Sequence, residues 1–349
     1  MSIIRVLLFP FSALYWCITL IRNKLFDTHI LPQTSCAKTV IAIGNITVGG
    51  TGKTPHVHYI VSALHKKHNC AILSRGYKRA TKGYIDTLQC PSPSALGDES
   101  YMYHQKFPDI AVAVCENRVY GAQQILRQFP DTDVIVLDDA YQHRHIKPHL
   151  TILLIDYTRP LTSDSVFPAG RMREGAYARK RADVIIVSKC PQTISDTEKN
   201  HLSTSLQVHP NQYILFSHIS YGTPYHIKNN TEITIAELIS HNNNILLLTG
   251  IAQATPMKTY IQSFTQKDIT HCEYPDHHNY SSTDIQSISN QAHELNAIII
   301  TTEKDMYKLL EHTITHYTDA VYVLPISVSF SPTDHNILMK SIHDAIKNT

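Results

Sequence analysis

Short runs of apolar, mostly β-branched residues recur along the chain and alternate with stretches of helical length. These runs lie at 39–45, 70–77, 110–117, 133–140, 151–157, 183–190, 244–250, 297–305 and 320–328. Continuous apolar runs of this length are typical of strands that are buried on both faces, as in a parallel sheet covered by helices. The polar stretch 191–211 carries no obvious strand, so we place a domain boundary near it. The pattern predicts an α/β protein with two αβα lobes, mostly parallel sheets and a cleft between the lobes.

The first 25 residues follow a different pattern. Residues 6–21 are mostly apolar, with Arg5 before them and Arg22 and Lys24 after them. A spanning helix needs about 20 apolar residues, and Pro10 is expected to break or kink this one near its start. No small-residue cleavage site of a signal peptide follows. We favour a helix that enters one membrane leaflet, with a spanning helix and a buried core helix as alternatives.

Composition narrows the class of protein. The chain has 349 residues, of which 43% are hydrophobic and 17% charged, and this excludes a disordered protein. A net charge of +2 gives no reason to expect a nucleic-acid partner. Seven cysteines without a CxxC pair predict small core residues in a reducing compartment, and neither a disulfide nor a zinc framework.

A glycine-rich turn between strand 39–45 and a helical stretch predicts a phosphate-binding loop, or P-loop. Glycines let backbone N–H groups point at phosphate oxygens, and the helix directs the positive end of its dipole to the same place. Lys53 is expected to reach the β- and γ-phosphates of a nucleotide, and the Thr54 hydroxyl to ligate Mg²⁺. The remaining predicted nucleotide-binding residues are Thr47, Gly49, Gly50, Thr51 and Gly52. Thr47 departs from the general GxxxxGK[ST] pattern, which has glycine there.

Acidic residues lie at two places where phosphoryl transfer could use them. Asp138 and Asp139 end an apolar strand, and burial of an unpaired charge there is costly, so we predict a metal or substrate role for at least one of them. Asp98 lies in the polar segment LGDES. From the residues alone, Asp98 is better explained as the N-cap of the following helix.

Several motifs together resemble one family. The segment IGNITVGGTGKTP at 43–55, with SRGYKR at 74–79, resembles the tetraacyldisaccharide 4'-kinases, the lipid A 4'-kinases of Gram-negative bacteria. The family's NxTVGGTGKTP pattern accommodates Thr47. Two small departures are DDAYQ in place of DDGFQ and PAGRMRE in place of PAGxLRE. Further blocks match in order at Gly97-Asp98-Glu99, Arg118, 138–143, 168–174, 275–278 and 302–305.

The resemblance implies a specific reaction. The family transfers the γ-phosphate of ATP, with Mg²⁺, to the 4'-hydroxyl of a tetraacyl glucosamine disaccharide 1-phosphate, giving lipid IVA. It acts at the cytoplasmic face of the inner membrane, anchored by an N-terminal helix, and no obligate protein partner is evident. The implied domains are an anchor helix at 1–25, a P-loop and lipid-binding domain at 26–205, and a smaller domain at 206–349 that closes the ATP cleft.

The resemblance also assigns roles to residues. Asp98 matches the catalytic aspartate and His277 its partner, with the adjacent His278 as a rival that only geometry can separate. From the residues, Asp138 is assigned to the metal and Asp139 to the substrate, with the individual roles of the two left open. Arg171 is an alternative to Arg173 as the phosphate-facing arginine, because the two are two positions apart. The positions that match the family near the lipid disaccharide or the transferred phosphate are Arg118, Gln142, His143, Arg173 and Glu174. Glu99, as a supporting acid, and Asp139 complete the predicted substrate-binding residues.

Other functions fit parts of the sequence. A soluble P-loop kinase or ATPase for a small metabolite would share the phosphate loop, but it has no use for the apolar N-terminal helix. The 22 histidines could indicate an NTP-dependent metallochaperone, yet the chain has no ordered Cys/His set. The histidine-rich run at 142–149 lacks acidic or cysteine partners at ligand spacing, so we interpret it as a solvated or lipid-facing loop.

Overall fold

A computed structural model describes residues 3–89, 92–161, 164–241, 244–311 and 320–349. Its helices are α1 Ile3–Asp27, α2 Lys53–Leu64, α3 Pro93–Leu96, α4 Asp98–Lys106, α5 Arg118–Gln128, α6 Asp196–Ser205, α7 Ile235–Ser240, α8 Thr255–Gln262, α9 Ser282–Glu294, α10 Glu303–Glu311 and α11 Pro332–Lys347, with a 3₁₀ helix at Ala176–Arg181. Its strands are β1 Thr34–Ser35, β2 Thr39–Asn45, β3 Cys70–Ser74, β4 Ile85–Asp86, β5 Ala111–Val114, β6 Val134–Asp138, β7 Ile146–Lys147, β8 Leu150–Asp156, β9 Val184–Ser188, β10 Tyr213–Tyr221, β11 Tyr225–His226, β12 Asn244–Thr249, β13 Thr270–Glu273, β14 Ala297–Thr301, β15 Val321–Val323 and β16 Ile326–Phe330.

The larger sheet has β2 at its centre. Its strand order is β16-β10-β9-β8-β2-β6-β3-β5-β4. The neighbours from β10 to β5 pair in parallel, and β4 pairs with β5 in the antiparallel sense. The predicted fold class, α/β with mostly parallel sheets, is confirmed.

Both faces of this sheet are covered, which explains its unbroken apolar strands. Successive residues of a strand point to opposite faces. Ile41 and Ile43 pack with Val57 of α2 in one core cluster, whereas Val40 packs with Ile125 of α5 in another. Both positions of the strand therefore need an apolar residue.

Contacts divide the chain into two compact units. One runs to Ile219 and includes 328–349, and the other is 220–327. The second unit has its own sheet, of order β11-β15-β14-β12-β13, in which β11 pairs with β15 in the antiparallel sense and the other described neighbours pair in parallel. Leu246 and Ile299 belong to its core, together with Ile285 of α9.

The structure places the division later than the predicted boundary at 205/206. Residues 213–216 of β10 pair with β9, so they belong to the first unit. The last helix, α11, also returns to the first unit, where Leu338 and Ile342 are fully buried. The apolar run 320–328 corresponds to two strands, β15 and β16, in different sheets. β13 was missed because its residues alternate without a continuous apolar run.

Helix α1 is continuous through Pro10 and spans Ile3–Asp27, so the expected break is wrong. The proline removes one backbone donor, at a point where the neighbouring side chains are exposed and need no tight packing. Leu7 is 68% and Phe11 63% exposed, which also contradicts the buried-core alternative. The segment Arg5–Asp27 is long and apolar enough to cross a membrane.

The described cysteines are free thiols, as expected. Cys70, Cys115 and Cys190 are buried. Cys17 is exposed on α1, which corrects the expected core position, and Cys90 lies outside the described residues.

Candidate active site

Four neighbouring parallel strands bring their carboxyl ends to one edge of the larger sheet. β2, β6, β8 and β9 end at Asn45, Asp138, Asp156 and Ser188. Ile43 pairs with Asp138, and Asp156 pairs with Ser188, so the registers align these ends. Ligand sites of open α/β sheets lie at this edge.

The P-loop leaves this edge as residues 46–52 and enters α2. Gly52, the N-cap of α2, has φ 82°, a conformation that a side chain would strain. The Val48 amide donates to the Arg171 carbonyl at 2.7 Å, and the Arg173 amide donates to the Ile46 carbonyl at 2.7 Å. Thr47 therefore pairs with Met172 in an antiparallel bridge, and this extended backbone has no need of glycine.

Lys53 faces a carboxylate that a second cation also holds. Its Nζ lies 3.6 Å from Asp139 Oδ1 and 3.5 Å from Asn45 Oδ1. Arg173 Nη1 lies 3.0 and 3.1 Å from the two oxygens of Asp139. Burial works to raise the pKa of Asp139, but Lys53 and Arg173 outweigh it, and the pKa lies below its usual value. Arg171 contributes its backbone and is exposed, so Arg173 is the arginine at the site.

Asp138 is buried, and no cation among the described residues lies at hydrogen-bond distance from it. Tyr103 donates to Asp138 Oδ2 at 3.0 Å, while Oδ1 has no partner among the described residues. Burial, with the charge of Asp139 added, raises the pKa of Asp138 to about 6. Tyr103 also hydrogen-bonds Thr54, so its phenol hydroxyl contacts both the Thr54 hydroxyl and the Asp138 carboxylate. The orphan oxygen and the Thr54 hydroxyl are hard oxygen ligands that fit Mg²⁺.

Arg118, the first residue of α5, is 2% exposed. Its Nη1 donates to the Cys115 carbonyl at 2.7 Å, but Nε and Nη2 have no partner within the described ranges. Burial lowers the pKa of Arg118 to about 10, against the opposing pull of Asp138 and Asp139. A buried guanidinium with two unused donors is suited to hold an anion.

His143 lies close to several arginine side chains. Burial lowers its pKa to about 4, and the charges of Arg118, Arg75 and Arg22 act in the same direction. The ring is therefore neutral at pH 7, and a neutral imidazole can accept a hydrogen bond as well as donate one.

A hydrogen-bond network joins Gln142 and Glu174 to helix α1. Gln142 Nε2 donates to the Asn45 carbonyl at 2.8 Å and to Glu174 Oε1 at 3.0 Å. Asn23 of α1 donates to Glu174 Oε2 at 2.7 Å, and Arg181 donates to Oε1 at 3.0 Å. The polar end of α1 is thus part of the site.

Asp98 is the first residue of α4, and Gly97 occupies the N-cap position, so the capping interpretation of Asp98 is wrong. Gly97 has φ 82°, and a Cβ there would lie 2.8 Å from the Tyr77 carbonyl, which brings the 97–99 segment against the 74–79 loop. Asp98 and Glu99 are half-buried at the positive end of the α4 dipole. Glu99 raises the pKa of Tyr103, which places it near the Asp138 side of the site.

In the second unit, two neighbouring histidines have different partners. His278 Nε2 lies 3.2 Å from Asp284 Oδ2 in the first turn of α9, and its ring stacks on Tyr274. His277 has φ 61°, and its Nε2 lies 3.4 Å from Lys304 Nζ. His278 thereby holds the first turn of α9, whereas His277 lies against the ion pair of Asp276 with Lys304.

The histidine-rich run 142–149 does not form one cluster. His145 packs edge-on against Phe26. His149 Nδ1 accepts from the Val40 amide at 3.0 Å, so its role is to hold a strand.

Lys189 and Asn23 were not predicted as site residues, because only the fold brings them to the site. Lys189 follows β9 and donates to the Gly50 carbonyl and, at 2.8 Å, to Asp156. A lysine directly after a buried strand at the ligand-binding edge was the available signal. Asn23 gave no signal, because it lies in an otherwise unremarkable polar end of α1.

Comparisons with known proteins agree with this geometry. The family model of tetraacyldisaccharide-1-P 4'-kinase matches residues 4–346. A tetraacyldisaccharide 4'-kinase of Bacteroides thetaiotaomicron is 40% identical over 334 residues, covering 92% of this chain and 88% of the relative. One of Flavobacterium johnsoniae is 40% identical over 330 residues, covering 95% and 94%. A crystal structure of LpxK from Aquifex aeolicus in complex with ATP superimposes with a TM-score of 0.78 at 27% identity, covering 99% of this chain and 100% of the other. The chain belongs to the tetraacyldisaccharide-1-P 4'-kinase family.

Proposed function

We propose that this chain transfers the γ-phosphate of ATP to the 4'-hydroxyl of a tetraacyl glucosamine disaccharide 1-phosphate, using the residues around Lys53. Membership of the family makes it a kinase of lipid A biosynthesis. The observation that carries the residue assignment is the pair of adjacent carboxylates at the end of β6. Asp139 is held by Lys53 and Arg173, whereas Asp138 retains an orphan oxygen among the described residues.

ATP binding is assigned to the P-loop. Its amides and the start of α2 receive the phosphates, and Lys53 exchanges its contact with Asp139 for the β- and γ-phosphates. Thr54 and Asp138 would hold Mg²⁺, which neutralises the charge that develops on the phosphates. Arg173 keeps its hydrogen bond to Asp139, and its guanidinium faces the same space as Lys53.

The acceptor is assigned to the cationic side of the site. Arg118 has two unused buried donors for an anionic or hydroxyl-bearing ligand. Gln142, His143 and Glu174 line the same side, and Glu99 lies towards Asp138. The substrate's own phosphate makes it an anion, which suits this surface.

Asp98 is proposed as the base that accepts the proton of the 4'-hydroxyl. Its carboxylate lies at the N-terminus of α4 and is the kind of group that can accept this proton as the hydroxyl attacks. The pairing of Asp98 with His277 remains a prediction from the resemblance, since the two residues lie in different units.

The exposed apolar part of α1 is proposed to enter the inner membrane from its cytoplasmic face. Val6, Leu7, Phe9, Phe11 and Leu14 are all more than half exposed, a surface that a lipid environment would cover. A soluble kinase for a small metabolite leaves this surface unexplained.

The test is a phosphoryl-transfer assay with MgATP and the tetraacyl disaccharide 1-phosphate in detergent micelles. The wild-type chain is expected to form a bisphosphorylated lipid, and Lys53→Ala to lower turnover by at least about a hundredfold. A chain lacking residues 2–21 keeps Asn23 and is expected to bind ATP but no longer to sediment with lipid vesicles.

Two results would contradict the proposal. ATP binding with no lipid product would leave the P-loop assignment and favour a soluble substrate. Full turnover by Lys53→Ala would remove the P-loop lysine from the reaction.

A further inference from the structure

Three consecutive carbonyls of the P-loop each accept a hydrogen bond from a side chain outside the loop. Lys189 Nζ donates to Gly50, and Ser188 Oγ donates to Thr51 at 2.9 Å. His56 Nδ1 lies 2.6 Å from the carbonyl oxygen of Gly52. Lys189 and Ser188 come from the end of β9, and His56 from the first turn of α2.

These contacts fix the direction of the amides that follow. In a trans peptide the C=O and the next N–H point in opposite directions. Carbonyls turned outward at residues 50–52 therefore turn the N–H groups of residues 51–53 inward. Within the described chain, none of these three amides has a hydrogen-bond acceptor. Three successive unused donors at a helix N-terminus are suited to form an anion-binding nest.

We propose that Lys189, Ser188 and His56 are positioning residues that hold the P-loop in its phosphate-binding conformation before ATP arrives. The inference deepens the proposed function and rests on ATP binding at this loop. These side chains act on the backbone from outside the loop, whereas Lys53 and Thr54 are proposed to meet the ligand. Preorganised donors need no rearrangement when the ligand binds, and this lowers the cost of binding.

The histidine contact has a defined proton arrangement. A carbonyl oxygen only accepts, so the ring nitrogen facing Gly52 carries hydrogen. Burial lowers the pKa of His56 to about 4, so the ring is neutral and its other nitrogen accepts. Nε2 lies 2.9 Å from Ser217 Oγ, which is therefore the donor of that bond. The order Ser217–His56–Gly52 connects β10 with the last carbonyl of the loop.

The lysine contact is held by a buried ion pair. Lys189 Nζ lies 2.8 Å from Asp156 Oδ2, and the two side chains are 13% and 2% exposed. Lys189 has φ 60°, a conformation uncommon for residues other than glycine. Asp156 also accepts from the Thr158 amide and hydroxyl, so the carboxylate is fixed from its other side.

The experiment measures MgATP affinity by calorimetry and KM for each substrate in the lipid assay. Removal of Lys189 alone would leave the charge of Asp156 buried, so the test is Lys189→Met combined with Asp156→Asn. We expect the KM for ATP to rise by about tenfold or more, because a charged hydrogen bond to the loop is lost. The KM for the lipid is expected to stay within about twofold of the wild-type value, since the P-loop amides do not meet it.

The histidine supplies a rescue pair and a matched control. His56→Leu is expected to raise the dissociation constant of MgATP by about fivefold, whereas His56→Asn, whose amide nitrogen replaces Nδ1, restores it to within about twofold. His58→Leu, which also replaces a buried neutral imidazole of α2, removes an edge-on contact with Tyr103 but leaves the loop carbonyls untouched, so it should change the dissociation constant less than His56→Leu does.

The possible results separate the two proposals. Folded variants at His56 and Lys189 with wild-type affinity for MgATP would overturn the positioning role and leave the proposed function intact. Equal loss in His56→Leu, His56→Asn and His58→Leu would also overturn it, because a disturbance of packing would then explain the result. Failure of the wild-type chain to bind MgATP in a Lys53-dependent manner would overturn both proposals.

Discussion

Asp138 in the first unit and Asp305 in the second are both buried aspartates close to the carboxyl end of a parallel strand, and they differ in how their oxygens are used. Asp305 is fully buried and accepts from the Gly250 amide at 2.9 Å, the Thr302 hydroxyl at 2.8 Å and the Tyr280 hydroxyl at 3.2 Å. Asp138 accepts only from Tyr103, and its other oxygen has no partner in the described parts of the chain.

This difference in hydrogen bonding indicates that Asp305 stabilises the fold, whereas Asp138 lowers its stability. Asp305 connects the end of β12 with the start of α10 and has hydrogen bonds to both oxygens, as buried polar groups in stable folds do. The buried charge of Asp138 has few stabilising partners among the described residues, and the raised pKa of its carboxyl reflects the free energy that this burial costs. Such a group persists at an active site when a ligand completes it.

The largest effect expected from this comparison is on turnover. Asp138→Asn removes one proposed Mg²⁺ ligand while keeping the acceptor for Tyr103, and we expect kcat to fall by about a thousandfold. The measurement is the lipid assay over a Mg²⁺ series. Near-normal kcat at ordinary Mg²⁺ concentrations would show that Asp138 is not a ligand.

The next effect is on the pH dependence of stability without nucleotide and with EDTA. The folded-state pKa of Asp138 is about 6 against an ordinary 3.8, so the folded state binds the proton more tightly than the unfolded state does. Relative to Asp138→Asn, the wild-type chain should therefore lose on the order of 3 kcal/mol of stability as pH rises from about 4 to 6. Asp138→Asn lacks this loss and should unfold at higher urea than the wild type at pH 8. A constant difference between the two chains from pH 4 to 8 would contradict the raised pKa.

The smallest expected effect is a loss of stability in the Asp305→Asn variant, opposite in sign to the stability change expected for Asp138→Asn. Asp305→Asn places an amide donor in a pocket of donors, so we expect the free energy of unfolding to fall by about 2 kcal/mol at pH 7. Urea unfolding of this variant beside Asp138→Asn makes the comparison direct. If both variants were destabilised equally, the distinction between a satisfied and an orphaned carboxylate would fail.

Much of the fold was predictable because it follows from local pattern. The strand runs at 39–45, 133–140 and 183–190 are apolar on both faces, and covered parallel strands leave this signature in any sequence. The turn before Lys53 was also predictable from the sequence, since glycines at this spacing are typical of the backbone of a phosphate-binding loop. The boundary between units was not predictable, because α11 and β10 join the first unit through contacts distant in sequence.

The site was predictable as a set of residues but not as a set of contacts. Lys53 and Asp139 are 86 positions apart, and only the parallel pairing of β2 with β6 brings them together. The supporting residues His56 and Lys189 carry no motif of their own. Their importance depends on which carbonyl each one meets, and this is a property of the folded backbone.

Helix α1 has one further consequence for how the enzyme meets its substrate. Its polar end is fixed to Gln142 and Glu174, and its apolar part runs for about 25 Å from Asn23 back to Val6. If that apolar part enters the bilayer as proposed, the helix would set the height of the site above the lipid surface. The sugar headgroup could then be phosphorylated while its acyl chains remain among their neighbours, without extraction of the lipid from the membrane.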